Sequence, residues 1–468
     1  MSSPTRASVG IAPVIPARDL PTPDDVEVPE AARLRGSPGI PGDKSISHRA
    51  LLLALLAEGR STIVGASEGE DVRSTRSVIT ALGARVTERS LPGSASTLVV
   101  ESDGIDSLRA PGGVLDCGNS GTTLRLVAGI LAGQPFEGRL DGDASLRGRP
   151  VGRIVEPLRA MGADLEASTA GTAPLRVRGR PPLRAIDWTP AVASAQVKSA
   201  ILLAGLRAEA LTRVHEAVPT RDHTERMLRA RGVDLRTIDD GAGGSIVELR
   251  GGQGVAPLDV VVPGDPSAAA FWLVAGAAHR DAELELLAVG LNPGRRAAID
   301  ILREMGASIR ESVDGSAAGA RPAGPDDEPI ANLRVVSSEL RGAEVDARRA
   351  VAAIDEIPIL CLAATQARGV TTFRGVGELR VKESDRLHGI VTGLSAFGAN
   401  VTVHGDDVRV LGPTALHGAA VDGFGDHRLV MTFAIAGLLA SGLTTIRGAA
   451  GAAISDPGFF ATLERIRS

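Results

Sequence analysis

What most constrains this chain is a helix pattern it writes six times. A small polar cluster opens an almost wholly apolar run of helical length in DKSISHRALLLALLAEG from Asp43, NSGTTLRLVAGILAG from Asn119 and SAQVKSAILLAGL from Ser194. It does so again in DPSAAAFWLVAGAA from Asp265, DEIPILCLAATQARG from Asp355 and DHRLVMTFAIAGLLASG from Asp426. A helix with no polar face must lie inside a layer rather than on the surface. After each run comes a short β-branched stretch such as STIVGAS, then a more polar helix pattern, then a Gly turn before another strand. The turns LGARV, MGADL, RGVDL, MGASI and FGANV centre on Gly83, Gly162, Gly232, Gly306 and Gly398. They recur every ~70–90 residues, which marks a repeated architecture. The sixth unit is shorter than the rest. With 468 residues and 43% apolar content, two α/β domains of three units each are expected.

The helix starts are where function is expected. Asp, Asn and Ser favour the N-cap because their side chains accept hydrogen bonds from the free first-turn amides. Those amides and the helix dipole also attract anions. Ordinary capping explains any single start. It does not explain Lys44, Lys198 and Arg428 in first turns, where a cation opposes the dipole. A bound anion would offset that cost. Six such starts turned toward one cleft would make an anion-binding field.

Composition excludes several alternatives. The net charge of −5 offers no basic field for nucleic acid or an anionic membrane, and aromatics are only 2%, with no Tyr to stack on bases. Apolar stretches fall short of the ~18 residues of a membrane span. Two cysteines, Cys117 and Cys361, give neither a disulfide framework nor a zinc spacing, which fits a reducing, cytoplasmic setting. No histidine pair has metal-ligand spacing, and His48, His223 and His427 read as structural. There is no P-loop, dinucleotide fingerprint or nucleophile elbow. Neither metal nor cofactor is therefore expected, and the partners are small anions. Residues 1–35, Pro-rich and polar, read as a disordered extension.

Several charged segments keep two readings. In LRVKESDRL (379–387), Lys382 and Arg386 lie four apart with Glu383 and Asp385 between them. They form either a solvated charged face or an anion clamp holding a carboxylate able to move a proton. Arg147 and Arg149 in SLRGRP, and Arg221 in TRDHTERML, are either solvated loop residues or anion contacts. Thr220 or Asp222 is the expected cap of the helix that follows. Cys117 is either a buried structural thiol or one activated by the helix start after it.

Nine segments in order resemble the 5-enolpyruvylshikimate-3-phosphate synthase family: PGDKSISHRA (41–50), CGNSGTTLRL (117–126), GDASLRGRP (142–150), SAQVKSA (194–200), RDHTE (221–225), PGDPSAAAF (263–271), DEIP (355–358), LRVKESDRL (379–387) and DHR (426–428). The resemblance runs from about residue 38 onward. It implies an inside-out α/β barrel fold, with two similar domains of three βαβαββ-type units and the site between them. It implies a cofactor-free transferase, expected as a monomer, that moves the enolpyruvyl group of phosphoenolpyruvate to the 5-hydroxyl of shikimate-3-phosphate.

By the same resemblance, Lys44, Ser45, Arg49, Ser194, Ala195, Gln196, Arg221, Asp355 and Lys382 would hold shikimate-3-phosphate. Lys44, Gly121, Arg149, Gln196, Arg386 and Arg428 would hold phosphoenolpyruvate. Asp355 would accept a proton, and Glu383, or Lys44, would donate one. Chain crossings are expected near Gly42–Asp43 and Val262–Pro263, giving domains 43–262 and 36–42 plus 263–468 that close on ligand. Two departures stand out: Ile454 occupies the position where many relatives have a Lys, and Ala195 replaces a Ser. The alternatives are the sister transferase acting on UDP-N-acetylglucosamine, whose loop Cys and N-terminal Lys-Asn motif are missing here, and a catalytically silent anion-binding module.

Overall fold

The computed structural model describes residues 24–89, 96–312 and 326–467. The six apolar runs form helices α1 (Lys44–Leu56), α2 (Gly121–Ala132), α3 (Ala195–Gly205), α4 (Pro266–Ala278), α5 (Ile357–Thr365) and α6 (His427–Leu439). They are buried all round; in α4 every residue from Pro266 to Ala277 is buried. The chain is mixed α/β, as the sequence leads one to expect.

Among the described residues, five sheets have four strands and one has three. Within each four-stranded sheet, two strands run parallel and an antiparallel hairpin completes the order, as in 114–116, 137–141, 175–178 and 164–166. The unit beginning with α1 takes its parallel edge from Val260–Val261, far along the chain. The unit beginning with α4 takes its edge from Leu34–Gly36.

This corrects the expected disordered extension. Residues 1–23 lie outside the described residues, but 24–35 are ordered. Asp25–Pro29 pairs antiparallel with Leu443–Arg447, filling the place that a hairpin fills in the other five sheets. Val28, Ala31 and Leu34 are fully buried. Polar neighbours hide this in the sequence, because an edge strand needs only one apolar face.

Two separate cores result. One draws on residues 46–262; the other draws on 28–34 and 269–466. Between them the two crossing segments pair with each other. Asp43 N donates to Pro263 O at 2.7 Å and Asp265 N to Pro41 O at 2.8 Å. Gly42 is required here: a Cβ on it would meet Gly65 O at 1.9 Å. The crossing brings the N-termini of α1 and α4 side by side, and Lys44 N donates to Asp265 Oδ2 at 3.1 Å.

Candidate active site

A cavity of about 600 Å³ lies between the two domains. All six buried helices present their starts to it: Lys44 and Ser45, Gly121 and Thr122, Ser194 to Gln196, Asp265, Asp355, and Arg428. Four helices are capped as the sequence suggests, with Asp43, Ser194, Asp265 and Asp426 accepting first-turn amides. Two differ. Ser120 rather than Asn119 caps α2, leaving Asn119 Oδ1 to accept from Arg149 at 2.5 Å. Asp355 caps nothing, because Glu356 stands at the cap position of α5.

Freed from capping, the Asp355 carboxylate gathers cations from both domains. Arg221 Nη2 donates to it at 2.8 Å across the cleft. Arg386 lies at 3.6 Å, Lys382 at 3.7 Å and Arg428 at 4.0 Å. Burial raises its pKa, but Lys382, Arg428, Arg221 and Arg386 more than reverse this and hold the carboxyl well below the usual aspartate range. Glu383 is similar. It accepts from Arg386 Nη2 at 2.5 Å and lies 3.7 Å from Arg149 of the opposite domain. Burial raises its pKa, while Arg386, Arg149, His427 and Lys44 bring it well below the ordinary glutamate value. Both carboxyls are therefore ionised at neutral pH.

Lys44 Nζ donates to Asp71 Oδ2 at 2.7 Å. Gln196 Nε2 donates to Thr122 Oγ1 at 2.9 Å and its Oε1 accepts from Arg125 at 2.7 Å. Lys44, Ser45, Gly121, Arg149, Ser194, Ala195, Gln196, Arg221, Asp355, Lys382, Glu383 and Arg428 all line the cavity. Arg49 and Arg386 do not. Arg49 is buried, donating to Thr224 Oγ1, Ser199 Oγ and Ser45 O. Arg386 is fully buried and pairs with Asp426 at 2.7 Å. It begins the helix Arg386–Ala396, whereas Lys382 ends the preceding 3-10 turn, so the two do not share one helix face.

Three residues escaped the sequence analysis. Arg125 lines the cavity, and its only signal was being a lone charge within an apolar helix. Asp71 pairs with Lys44 from the second helix of its unit. Arg295 is buried and bonds Asp265 at 2.8 Å and Ser45 Oγ at 3.3 Å, with Asp43 at 3.6 Å. Nothing local to NPGRR announces that role.

Other expectations resolve simply. His48, His223 and His427 are buried; burial and the nearby Lys44 push His427 down to about 3, so it is neutral. Cys117 is buried and its thiol pKa is pushed up, so it is not activated. Asp222 occupies the cap position before His223–Arg229 but makes no capping bond, accepting instead from Asn292 and Arg226. Ile454 closes a 3-10 turn and is nearly buried. Among the described residues, no cluster of three or more His, Cys, Asp and Glu is arranged to hold a metal ion, and no helix is long and apolar enough to cross a membrane.

A cleft that surrounds two half-buried carboxylates with cations, at the mouths of six helices, suits the binding of multiply charged anions. Comparison with known proteins narrows this class. The model of the EPSP synthase (3-phosphoshikimate 1-carboxyvinyltransferase) family matches residues 28–463. A 3-phosphoshikimate 1-carboxyvinyltransferase of Synechococcus sp. (strain JA-3-3Ab) is 48% identical, covering 95% of this chain and 97% of its own. One of Bacillus cereus (strain 03BB102) is 45% identical, covering 92% and 97%. The solved structure of EPSP synthase from Acinetobacter baumannii has a TM-score of 0.79 and 38% identity, covering 94% of this chain and 98% of its own. The chain belongs to the EPSP synthase family.

Proposed function

We propose that this cleft holds shikimate-3-phosphate and phosphoenolpyruvate side by side and that Asp355 and Glu383 move the protons of the transfer. Family membership makes the chain a transferase of the shikimate pathway, carrying the enolpyruvyl group from phosphoenolpyruvate to shikimate-3-phosphate and releasing phosphate. The observation that carries the residue roles is Asp355, a carboxylate left uncapped at a helix start and ringed by four cations.

The two substrates bring two phosphates and two carboxylates. Arg and Lys suit them, because charge-assisted and bidentate hydrogen bonds are stronger than neutral ones. Lys44, Ser45, Ser194, Ala195, Gln196, Arg221 and Lys382 form the shikimate side. Gly121, Arg149, Gln196 and Arg428 form the phosphoenolpyruvate side, with Arg49 and Arg386 bracing from behind the wall.

Asp355, ionised, accepts the proton of the 5-hydroxyl as the hydroxyl oxygen bonds to C2 of phosphoenolpyruvate. C2 is electrophilic only as C3 gains a proton. Glu383 supplies that proton once an incoming anion draws Arg149 away from it and its pKa rises; Lys44 is the other candidate donor. The group that protonated C3 takes a proton back from it, and phosphate leaves C2 into a wall already lined with cations.

The reaction as written uses no cofactor. A monomer in the cytoplasm is the form we propose. Closure on shikimate-3-phosphate is part of the same reading, since separating the domains breaks Arg221–Asp355 and Arg153–Glu378.

The test is phosphate release from phosphoenolpyruvate, with chelator present, using shikimate-3-phosphate or UDP-N-acetylglucosamine as acceptor. Release with the shikimate alone is expected. Release with the nucleotide sugar alone would overturn the substrate assignment.

A further inference from the structure

In the cavity wall on the shikimate side lies a charged group that the mechanism leaves unused. Lys198 is 1% exposed. Its ammonium is 2.7 Å from Glu216 and 2.6 Å from Glu225, both buried. Lys198 sits in the first turn of α3, where a cation opposes the helix dipole. Burial alone would lower its pKa; Glu225 and Glu216 outweigh that, so it stays charged. Stability does not explain such a set, because replacing buried ions with apolar residues of similar volume is often neutral or stabilising.

Placement explains it better. Glu216 ends the strand Leu211–Glu216 and Glu225 lies in the helix His223–Arg229. Between them runs the loop 217–222, which carries Arg221 to Asp355. Glu216 Oε1 turns back into this loop and accepts from Thr220 N at 3.3 Å and from the Thr220 hydroxyl. Lys198 thus fastens both ends of the loop to the first turn of α3, the turn that presents Ser194 and Gln196 to the cavity. A second tie runs alongside: Ser199 Oγ and Thr224 Oγ1 are 2.7 Å apart, and Arg49 donates to both.

Resting on the functional reading above, we infer that Lys198, with Glu216 and Glu225, is a positioning residue for the phosphate-bearing substrate. It fixes the distance between Arg221 and the start of α3, and so sets affinity for shikimate-3-phosphate while leaving phosphoenolpyruvate untouched. Geometry errors near 1 Å in such a site can cost ~100-fold in rate.

The test is calorimetric titration of shikimate-3-phosphate, without phosphoenolpyruvate, into the parent, Lys198→Met and Glu216→Gln, with both KM values from phosphate release. The expected result is Kd and KM for shikimate-3-phosphate raised roughly tenfold or more in both variants, with the KM for phosphoenolpyruvate unchanged; thermal midpoints fall, most of all for Lys198→Met, which leaves two buried carboxylates without their cation. Should Lys198→Met not fold, Glu216→Gln decides alone, since it keeps the shape and loses one charge. A folded variant with unchanged shikimate-3-phosphate affinity, or one with both KM values raised together, overturns the positioning role alone. Absence of binding to the parent overturns the functional reading and this inference with it.

Discussion

Replacing Asp355 with Asn should separate turnover from binding. The side chain keeps its shape, so no cavity opens, but one negative charge leaves a ring of four cations lying 2.8 to 4.0 Å away. A single pair at 4 Å is worth ~4 kcal/mol at an effective dielectric near 20, and breaking one member of a buried set costs about 3–5 kcal/mol. The empty variant should therefore unfold at markedly lower temperature. Because the folded pKa is depressed, this stabilisation is present above the ordinary aspartate value of 3.8 and lost as pH falls through the folded value. The midpoints of parent and variant should thus converge in acid. Anionic ligands should restore the variant more than the parent, since they replace the missing charge, and shikimate-3-phosphate should bind as tightly or more tightly. Without its proton acceptor, kcat should fall by ~10²–10⁴. Phosphate release, calorimetry and scanning fluorimetry together give all three quantities. A folded variant retaining more than about a tenth of parent turnover, or losing substrate affinity in step with kcat, would refute the assignment.

Glu383→Gln should lower kcat by a similar ~10²–10⁴ with little change in either KM, measured by the same phosphate release. Asp456 is buried and burial pushes its carboxyl up to about 7; its favourable contribution is present below 3.8 and lost as pH rises through 7. Asp456→Asn should accordingly stabilise the protein at pH 8 and leave it unchanged near pH 3, read by urea midpoints; equal shifts at both would count against it. Gly129→Ala should cost about 1–3 kcal/mol in chemical denaturation, because its Cβ would meet Ala200 O at 2.3 Å and push α2 from α3. Val28→Asp puts an unpaired carboxylate at a fully buried edge position; it should open the half built from 269–466 to limited proteolysis, with the 46–262 half still resistant.

The buried helices were legible because each carries its own evidence. A polar start followed by apolar residues on every face leaves one place for a helix to go, and α4 lies there from Pro266 to Ala277. The cation-lined cleft was legible for a related reason: Lys44 and Arg428 sit where a helix alone would not choose them. What stayed hidden depends on partners distant in sequence. Asp25–Pro29 shows only Val28 as a fully buried side chain, and its neighbour strand lies at the opposite end of the chain. Arg295 looks like any loop arginine until the crossing brings Asp43 and Asp265 to it. Asp355 looked like a cap because Asp caps helices; only the backbone at Glu356 shows that the turn begins one residue later. Arg49 and Arg386, read as substrate contacts, are buried beside the cavity on Thr224 and Asp426, partners far off in sequence.

The pairing of Asp25–Pro29 with Leu443–Arg447 sets a timetable for synthesis. The strand Asp25–Pro29 leaves the ribosome roughly 20–80 s before its neighbour at ~5–20 residues per second. During that wait the 46–262 half has every strand of its three sheets and can finish folding while still tethered. The other half cannot close until residues 443–447 have emerged, so Val28 and its unpaired backbone stay open to wrong partners throughout that interval. Slower translation protects the first half and prolongs the exposure of the second.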